Sequence, residues 1–237
     1  MYDLEVRYSD HRLGAVEVTA AADAELIEFW NLVNSPGGWR VESLVGGWSV
    51  SIEPSARVKR VLQEPPNLLL SFEQTGVRDF HIGRSTTPSD TLARQLRVVR
   101  ALQSPTDFPG SIYVTPELAL DRMSGMVAEN GDDLAEWVSE FLTGPAQQDV
   151  RHKLASSGAA ETHAVVLFPG FSPAPFAVTD LLMRDDAPLP TIDPRLPPEI
   201  TDVWAMSDWT AGVGFRWSRL TGWLRFDKLG PDHTQRQ

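Results

Sequence analysis

Two acidic residues near the amino terminus have the residue type and the spacing of a possible metal site. Asp3 opens the segment Asp3–Tyr8, and Glu17 lies within Gly14–Thr19. Apolar and polar residues alternate in both segments, and the polar stretch 9–12 separates them, which predicts two strands of a β-hairpin. The hairpin would carry an acidic residue near each of its outer ends, where two carboxylates could bind a metal ion.

The register of this hairpin decides whether the two carboxylates can meet. If the tip is a two-residue turn at Asp10-His11, paired residue numbers add up to 21, Asp3 faces Val18, and Asp3 and Glu17 project from opposite faces. If the loop has an odd number of residues, the numbers add up to 20 or 22, and Asp3 lies opposite Glu17 or Thr19 on one face. A metal site requires the second register or an equivalent bulge. In the alternative, the acidic residues are solvated side chains on the wet face of an edge hairpin.

The hairpin, followed directly by an amphipathic segment over 20–34, resembles the core of the restriction-endonuclease-like superfamily, named for its PD-(D/E)xK motif. In that family an acidic residue opens one strand and an acidic-x-Lys triplet lies on the next, and Asp3 and Glu17-Val18-Thr19 match these positions. The resemblance implies that Asp3 and Glu17 hold Mg²⁺, that Asp3, Glu17 and Thr19 are the catalytic positions, and that the metal activates water for attack on a phosphate.

The third motif position departs from the family pattern, because Thr19 stands where the family has lysine. A hydroxyl group cannot supply the positive charge that orients the nucleophile and stabilises the developing oxyanion. The chain has only three lysines, Lys59, Lys153 and Lys228. Of these, Lys59 and Lys153 are the candidates to supply that charge from elsewhere in the chain.

The charge composition restricts how the protein could bind nucleic acid. The net charge of −11 over 237 residues opposes a generally basic surface, and affinity for phosphate backbones comes mostly from Lys and Arg. A local basic patch remains, formed by Arg94, Arg97 and Arg100 on a predicted helix over 91–102, and Lys59 with its arginine neighbours, Arg57 and Arg60, could add to it. In the alternative, these arginines lie on a solvated helix face and pair with neighbouring carboxylates.

Several other kinds of chemistry are excluded or disfavoured by the sequence. The absence of cysteine excludes disulfides, thiolate zinc sites and cysteine nucleophiles. Neither GxGxxG nor GxxxxGK[ST] occurs, so no nucleotide cofactor is expected. The five histidines lack a metal-binding spacing such as HExxH, and His163 is predicted to be a buried core histidine because it enters an apolar strand. No apolar run is long enough for a membrane span, so we expect a cytoplasmic protein with no membrane partner; its composition resembles that of proteins from GC-rich bacterial genomes.

The periodicities predict a mixed α/β fold in which a central mixed sheet, containing the first hairpin, is flanked by helices. We expect a single domain over 1–237, with an α/β core over 1–168 and C-terminal strands over 199–227 that pack on the core. Between them, 169–198 is predicted to be a proline-rich surface loop, interrupted only by a helical turn around 178–183. Four tryptophans crowd those strands: Trp204, Trp209, Trp217 and Trp223. They could line a groove for a protein partner or belong to the core.

Two hypotheses about function follow from these observations. The first is a metal-dependent nuclease-like protein, active or catalytically degenerate, that acts on the phosphodiesters of nucleic acid. The second is a non-catalytic binding or regulatory module that engages a protein partner through its tryptophan-rich C-terminal region.

Overall fold

The computed structural model describes residues 1–34, 39–56, 64–83, 88–104, 108–118, 120–208, 210 and 212–228. Within these ranges the strands β1 to β11 are Leu4–Arg7, Leu13–Ala20, Trp39–Arg40, Gly47–Ile52, Asp79–His81, Val98–Ser104, Ser111–Pro116, Glu161–Phe168, Asp202–Ser207, Gly214–Ser218 and Gly222–Phe226. The α-helices α1 to α7 are Ala24–Asn34, Pro65–Thr75, Pro88–Leu96, Leu120–Met123, Asp132–Thr143, Gln148–Ser156 and Phe176–Met183. None of the helices in these ranges is long and apolar enough to cross a bilayer.

The chain forms two compact units. The terminal unit combines Met1–Ala22 with Leu120–Gln237, and the inserted unit is Asp23–Ala119. The fold is mixed α/β, as the sequence predicts, but it contains two mixed sheets where we expected one central sheet. The alternation of apolar and polar residues indicates which segments are strands but does not show which strands pair. Strand β2 pairs with β8 although the inserted unit separates them in the sequence.

The terminal unit contains a six-stranded sheet in the order β1-β2-β8-β9-β10-β11. The pairs β2–β8 and β8–β9 are parallel, and the outer pairs are antiparallel. Alternate residues of β8, Ala164, Val166 and Phe168, are fully buried in a core shared with helices α5 to α7. Val165 and Leu167 between them are only partly buried, so one face of the sheet is covered more completely than the other.

The segment 169–198 is more than a surface loop. It contains α7, and residues from this segment, including Ala174, Leu181 and Leu182, belong to the core of the terminal unit. After α7 it is attached by hydrogen bonds: the carboxylate of Asp132 accepts the backbone N–H of Thr191 at 2.5 Å. The predicted C-terminal strands exist as β9, β10 and β11, and they extend the same sheet beside β8.

The inserted unit has a five-stranded sheet in the order β3-β7-β4-β6-β5 with helices α1 to α3. Its core includes Trp48, Phe72 and Phe80, with the Phe72 and Phe80 rings stacked at 4.8 Å. The predicted helix over 91–102 is wrong in its second half. Helix α3 ends at Leu96, Arg97 adopts a positive φ of 58°, and β6 begins at Val98.

Candidate functional site

The hairpin adopts the register that a metal site requires. Leu4 pairs with Val16 and Arg7 with Leu13, so paired residue numbers add up to 20. Five residues separate the strands, and His11 within this loop has a positive φ of 69°. The pairing ends at Leu4, and the backbone N–H of Asp3 donates to the carbonyl of Val16 at 3.1 Å.

Glu17 is a buried carboxylate with only one of its oxygens satisfied. The residue is 2% exposed, and its Oε1 accepts a hydrogen bond from Nζ of Lys153 in α6 at 2.5 Å. Lys153 also pairs with Asp149, one helical turn earlier, at 2.9 Å. These two bonds, that to Glu17 first, raise the pKa of Lys153 above its ordinary value. Among the described residues no group hydrogen-bonds to Oε2 of Glu17.

The other two motif residues are engaged with neutral groups. The exposed Asp3 carboxylate accepts the backbone N–H of Val18 at 2.9 Å. The Thr19 hydroxyl donates to Oε1 of Gln147, a buried side chain between α5 and α6, also at 2.9 Å. Side chains alternate along β2, so Glu17 and Thr19 both face these helices. Both hydrogen bonds are to neutral groups, so neither supplies the positive charge of the lysine that the family has at the position of Thr19.

Of the two lysines that could replace the motif lysine, Lys153 lies at Glu17, and Lys59 lies outside the described residues. Lys153 could be named as a candidate from the sequence because the chain has only three lysines. The contact itself could not be predicted, because 136 residues separate the two partners.

The predicted basic patch does not form a continuous stripe. Arg94 lies in α3, Arg97 in the left-handed turn after it and Arg100 in β6, so the three residues do not share a helix face. Arg97 pairs with Glu53 at 2.8 Å, and Nε of Arg100 lies 3.8 Å from the Asp79 carboxylate. Pairing with neighbouring carboxylates is what the alternative interpretation of these arginines predicts.

A second polar cluster lies at the start of β8 and β9 and was missed at the sequence level. His163 is buried, as predicted, but its ring contacts polar groups: Nε2 lies 2.9 Å from the Tyr8 hydroxyl, and Nδ1 accepts the indole N–H of Trp204 at 3.4 Å. Carboxylate oxygens of Glu161 and Asp202 each lie 3.8 Å from a ring nitrogen. Because ligand atoms of Glu161, His163 and Asp202 lie within 4.8 Å of one another, these three residues could hold a metal ion.

Two arginines neutralise the carboxylates of this second cluster. A guanidinium nitrogen of Arg12 hydrogen-bonds to Oε1 of Glu161, and Nη2 of Arg216 donates to Oδ1 of Asp202 at 2.8 Å. Burial lowers the pKa of His163 and outweighs the nearby carboxylates, so the ring is held neutral.

The hydroxyl of Tyr8 is also stabilised in its neutral form. Burial, followed by its hydrogen bond to Glu161, raises the pKa of Tyr8 to about 12. The neutral imidazole of His163 and the neutral phenol of Tyr8 therefore lie between two paired carboxylates. Each of the two ion pairs, Arg12–Glu161 and Arg216–Asp202, combines one positive and one negative charge, so the cluster as a whole is neutral.

A cavity of about 410 Å³ opens beside this second cluster. Its lining includes Tyr8, Arg12, Arg216 and Arg219, all from the terminal unit. The volume lies within the range of small-molecule sites in proteins, roughly 300–1,000 Å³.

Two of the four tryptophans in the predicted tryptophan-rich region belong to the core. Trp217 and Trp223 are buried, and their indole N–H groups donate to Asp193 and to the backbone carbonyl of Ile192. Trp204 is partly exposed and lies beneath the Arg216 guanidinium at 4.8 Å, whereas Trp209 lies outside the described residues.

Comparison with known proteins yields no relative: no protein-family model, curated protein or solved structure matches the chain. The resemblance to the restriction-endonuclease-like superfamily therefore depends on the residues and geometry of the hairpin.

Proposed function

We propose that the protein is a Mg²⁺-dependent nuclease-like enzyme that hydrolyses phosphodiesters of nucleic acid, with Asp3 and Glu17 as metal ligands and Lys153 as the catalytic cation. The observation that carries this proposal is the environment of Glu17: a buried carboxylate with Lys153 on one oxygen and no hydrogen-bond partner, among the described residues, on the other.

The free oxygen of Glu17 suits a hard cation. A buried carboxylate oxygen without a hydrogen-bond partner is energetically costly, and a metal ion would satisfy it. The Asp3 carboxylate accepts the backbone N–H of Val18, the residue after Glu17, and it is the second carboxylate that we propose as a ligand. Bound there, Mg²⁺ would polarise the scissile phosphate and lower the pKa of an attacking water.

Lys153 supplies the charge that Thr19 cannot. Its ammonium group contacts Glu17 directly, and the lysine of the family's motif is likewise expected to lie beside the second acidic residue. Lys153 comes from α6, whereas the motif lysine would come from β2. Its raised pKa keeps it protonated at neutral pH, so it can stabilise negative charge on a phosphate but cannot act as a general base.

A cleavage assay tests this proposal. Labelled DNA and RNA are incubated with the protein and Mg²⁺ or Mn²⁺, beside the variants Glu17→Gln and Lys153→Met. We expect metal-dependent cleavage by the native protein and a loss of about 100-fold or more in each variant. Glu5→Gln is the matched control, because it changes an exposed carboxylate on the neighbouring strand β1 to an amide.

The proposal fails if the native protein cleaves neither substrate with either metal, or if cleavage survives Glu17→Gln unchanged. Circular dichroism of each variant separates loss of chemistry from loss of folding. The second hypothesis, a module that binds a protein partner, remains a prediction; the partner would have to bind outside the buried indoles of Trp217 and Trp223.

A further inference from the structure

We propose that the cavity beside Arg216 binds the phosphate group of a small molecule, of about the size of a mononucleotide. This site is independent of the proposed nuclease site. Glu17 pairs with Ala164 in β8, whereas His163 pairs with Asp202, and side chains of adjacent residues project to opposite faces. The cavity therefore lies on the sheet face opposite Glu17.

The groups that the cavity presents to solvent are cationic. Three arginines line it, Arg12, Arg216 and Arg219, against two carboxylates, Glu161 and Asp202. The carboxylates lie beneath the arginines: the Asp202 side chain is 4% exposed and that of Glu161 15%, compared with 49% for Arg12 and 30% for Arg216. In a chain with a net charge of −11, this is a local surface suited to an anion.

Each arginine is held in place by groups other than the ligand. Asp202 binds Arg216 from below, and the Trp204 ring lies 4.8 Å from its guanidinium carbon. The guanidinium of Arg12 lies 5.2 Å from the centre of the Tyr8 ring. Arg219 donates to the backbone carbonyl of Ile200 at 3.1 Å. Guanidinium groups fixed in this way lose little further entropy when an anion binds.

Arg216 also has hydrogen-bonding capacity that the protein leaves unused. Its Nε is buried and has no hydrogen-bond partner among the described residues. A guanidinium has five N–H donors in a planar fork that matches the oxygens of a phosphate. A phosphate in the cavity would accept from the exposed parts of the Arg216, Arg12 and Arg219 guanidinium groups, and it would have to bind close to the buried Nε of Arg216 to satisfy that donor as well.

The same observations favour an anion over a metal ion in this cavity. Glu161, His163 and Asp202 could hold a metal, but each carboxylate already accepts a hydrogen bond from an arginine. A cation would have to break both ion pairs and bind next to two guanidinium groups, whereas an anion leaves both pairs intact.

Isothermal titration of the full chain with inorganic phosphate and with adenosine 5′-monophosphate tests the proposal. We expect saturable binding that weakens as salt concentration rises. Arg219→Gln should weaken binding about tenfold, in line with the loss of one charge-assisted hydrogen bond. Arg216→Lys, which keeps the charge beside Asp202 but loses the planar fork, should weaken it similarly. Arg195→Gln, at an exposed arginine away from the cavity, should have no effect.

The two ligands distinguish the source of the phosphate. Tighter binding of the monophosphate indicates a nucleotide-sized ligand, and equal binding indicates free phosphate; both results support a phosphate site. The proposal is overturned if neither ligand binds saturably, or if Arg216→Lys and Arg219→Gln bind like the native protein. It is also overturned if the cavity binds Zn²⁺ or Mn²⁺ instead and His163→Ala abolishes that binding. Because Glu17→Gln should leave phosphate binding unchanged, failure of the nuclease proposal is separate from failure of this one.

Discussion

Nζ of Lys153 lies 2.5 Å from Oε1 of Glu17, and this contact joins helix α6 to strand β2 inside the terminal unit. The lysine is partly exposed and the glutamate is almost fully buried, with side-chain exposures of 30% and 3%. The pair therefore brings a cation from the surface to a carboxylate in the interior. In the proposed function this single contact replaces the lysine that the motif lacks at Thr19.

Removal of the lysine should destabilise the protein through the carboxylate that it leaves behind. In Lys153→Met, Glu17 becomes a buried charge without its cation, so we expect a lower Tm at neutral pH. Thermal unfolding of Lys153→Met, Glu17→Gln and the double variant measures the coupling. Equal Tm values for the native protein and Lys153→Met would show that the pair has no effect on stability.

Bound Mg²⁺ and Lys153 should both offset the charge of Glu17, so metal should rescue part of the stability lost in Lys153→Met. A ligand that binds only the folded state raises the free energy of unfolding. We expect Mg²⁺ to raise the Tm of Lys153→Met and to leave that of the double variant Glu17→Gln/Lys153→Met unchanged. An equal shift in both variants would mean that the metal binds elsewhere.

In the inserted unit, the Glu73 carboxylate should make stability depend on pH. It accepts hydrogen bonds from the backbone N–H groups of Val45 and Gly46 and from the side chains of Trp48 and Gln103. Burial alone would raise the pKa of Glu73, but these four donors lower it below its ordinary value. Its contribution to stability is therefore present above the ordinary glutamate pKa and is lost as pH falls through the lowered value.

The variant Glu73→Gln tests this contribution. It keeps the size of the side chain but cannot accept from all four donors, so we expect a loss of about 1–3 kcal/mol in the free energy of unfolding at pH 7. The loss should diminish at acidic pH, where Glu73 is protonated in the native protein. Urea unfolding at several pH values, followed by tryptophan fluorescence, measures both effects. A difference that stays constant down to acidic pH would contradict the assignment.

Asp132 should control the exposure of the segment after α7. Its carboxylate accepts the backbone N–H of Thr191 at 2.5 Å and the Thr191 hydroxyl at 2.9 Å. Asp132→Ala removes these bonds, and we expect faster proteolytic cleavage within 184–198 in limited digestion followed by mass spectrometry. Asp133→Ala, on the same helical turn of α5, is the control. Equal cleavage in both variants would show that other contacts hold the segment.

Local patterns predicted the elements of this chain better than their partners. The amphipathic stripe of α5 is visible in sequence because burial follows the helix period, whereas in β2 four consecutive residues, 14–17, are buried although apolar and polar residues alternate there. The sequence also allowed the observed register to be stated among the alternatives, as the one with an odd number of residues in the hairpin loop. The end of α3 was missed, because the left-handed conformation of Arg97 has no sequence signal of the kind that glycine gives.

The contacts that define both sites could not be predicted, because they join residues that lie far apart in the sequence. Asp202 lies beside His163 because β8 is parallel to β9 with His163 opposite Asp202, whereas Glu161 belongs to the same strand as His163. A histidine entering an apolar strand was consistent with a core position, and burial was predicted correctly. The charged surroundings were not predicted, because their members come from four separate segments of the chain.

Mn²⁺ binding, followed by electron paramagnetic resonance, tests most directly whether Glu17 holds the metal. We predict one Mn²⁺ site in the native protein that is lost in Glu17→Gln and retained in both Glu5→Gln and His163→Ala. The second comparison matters because Glu161, His163 and Asp202 could also hold a metal ion. A site that survives Glu17→Gln unchanged and disappears in His163→Ala would contradict the account, because the metal would then bind on the opposite face of the sheet.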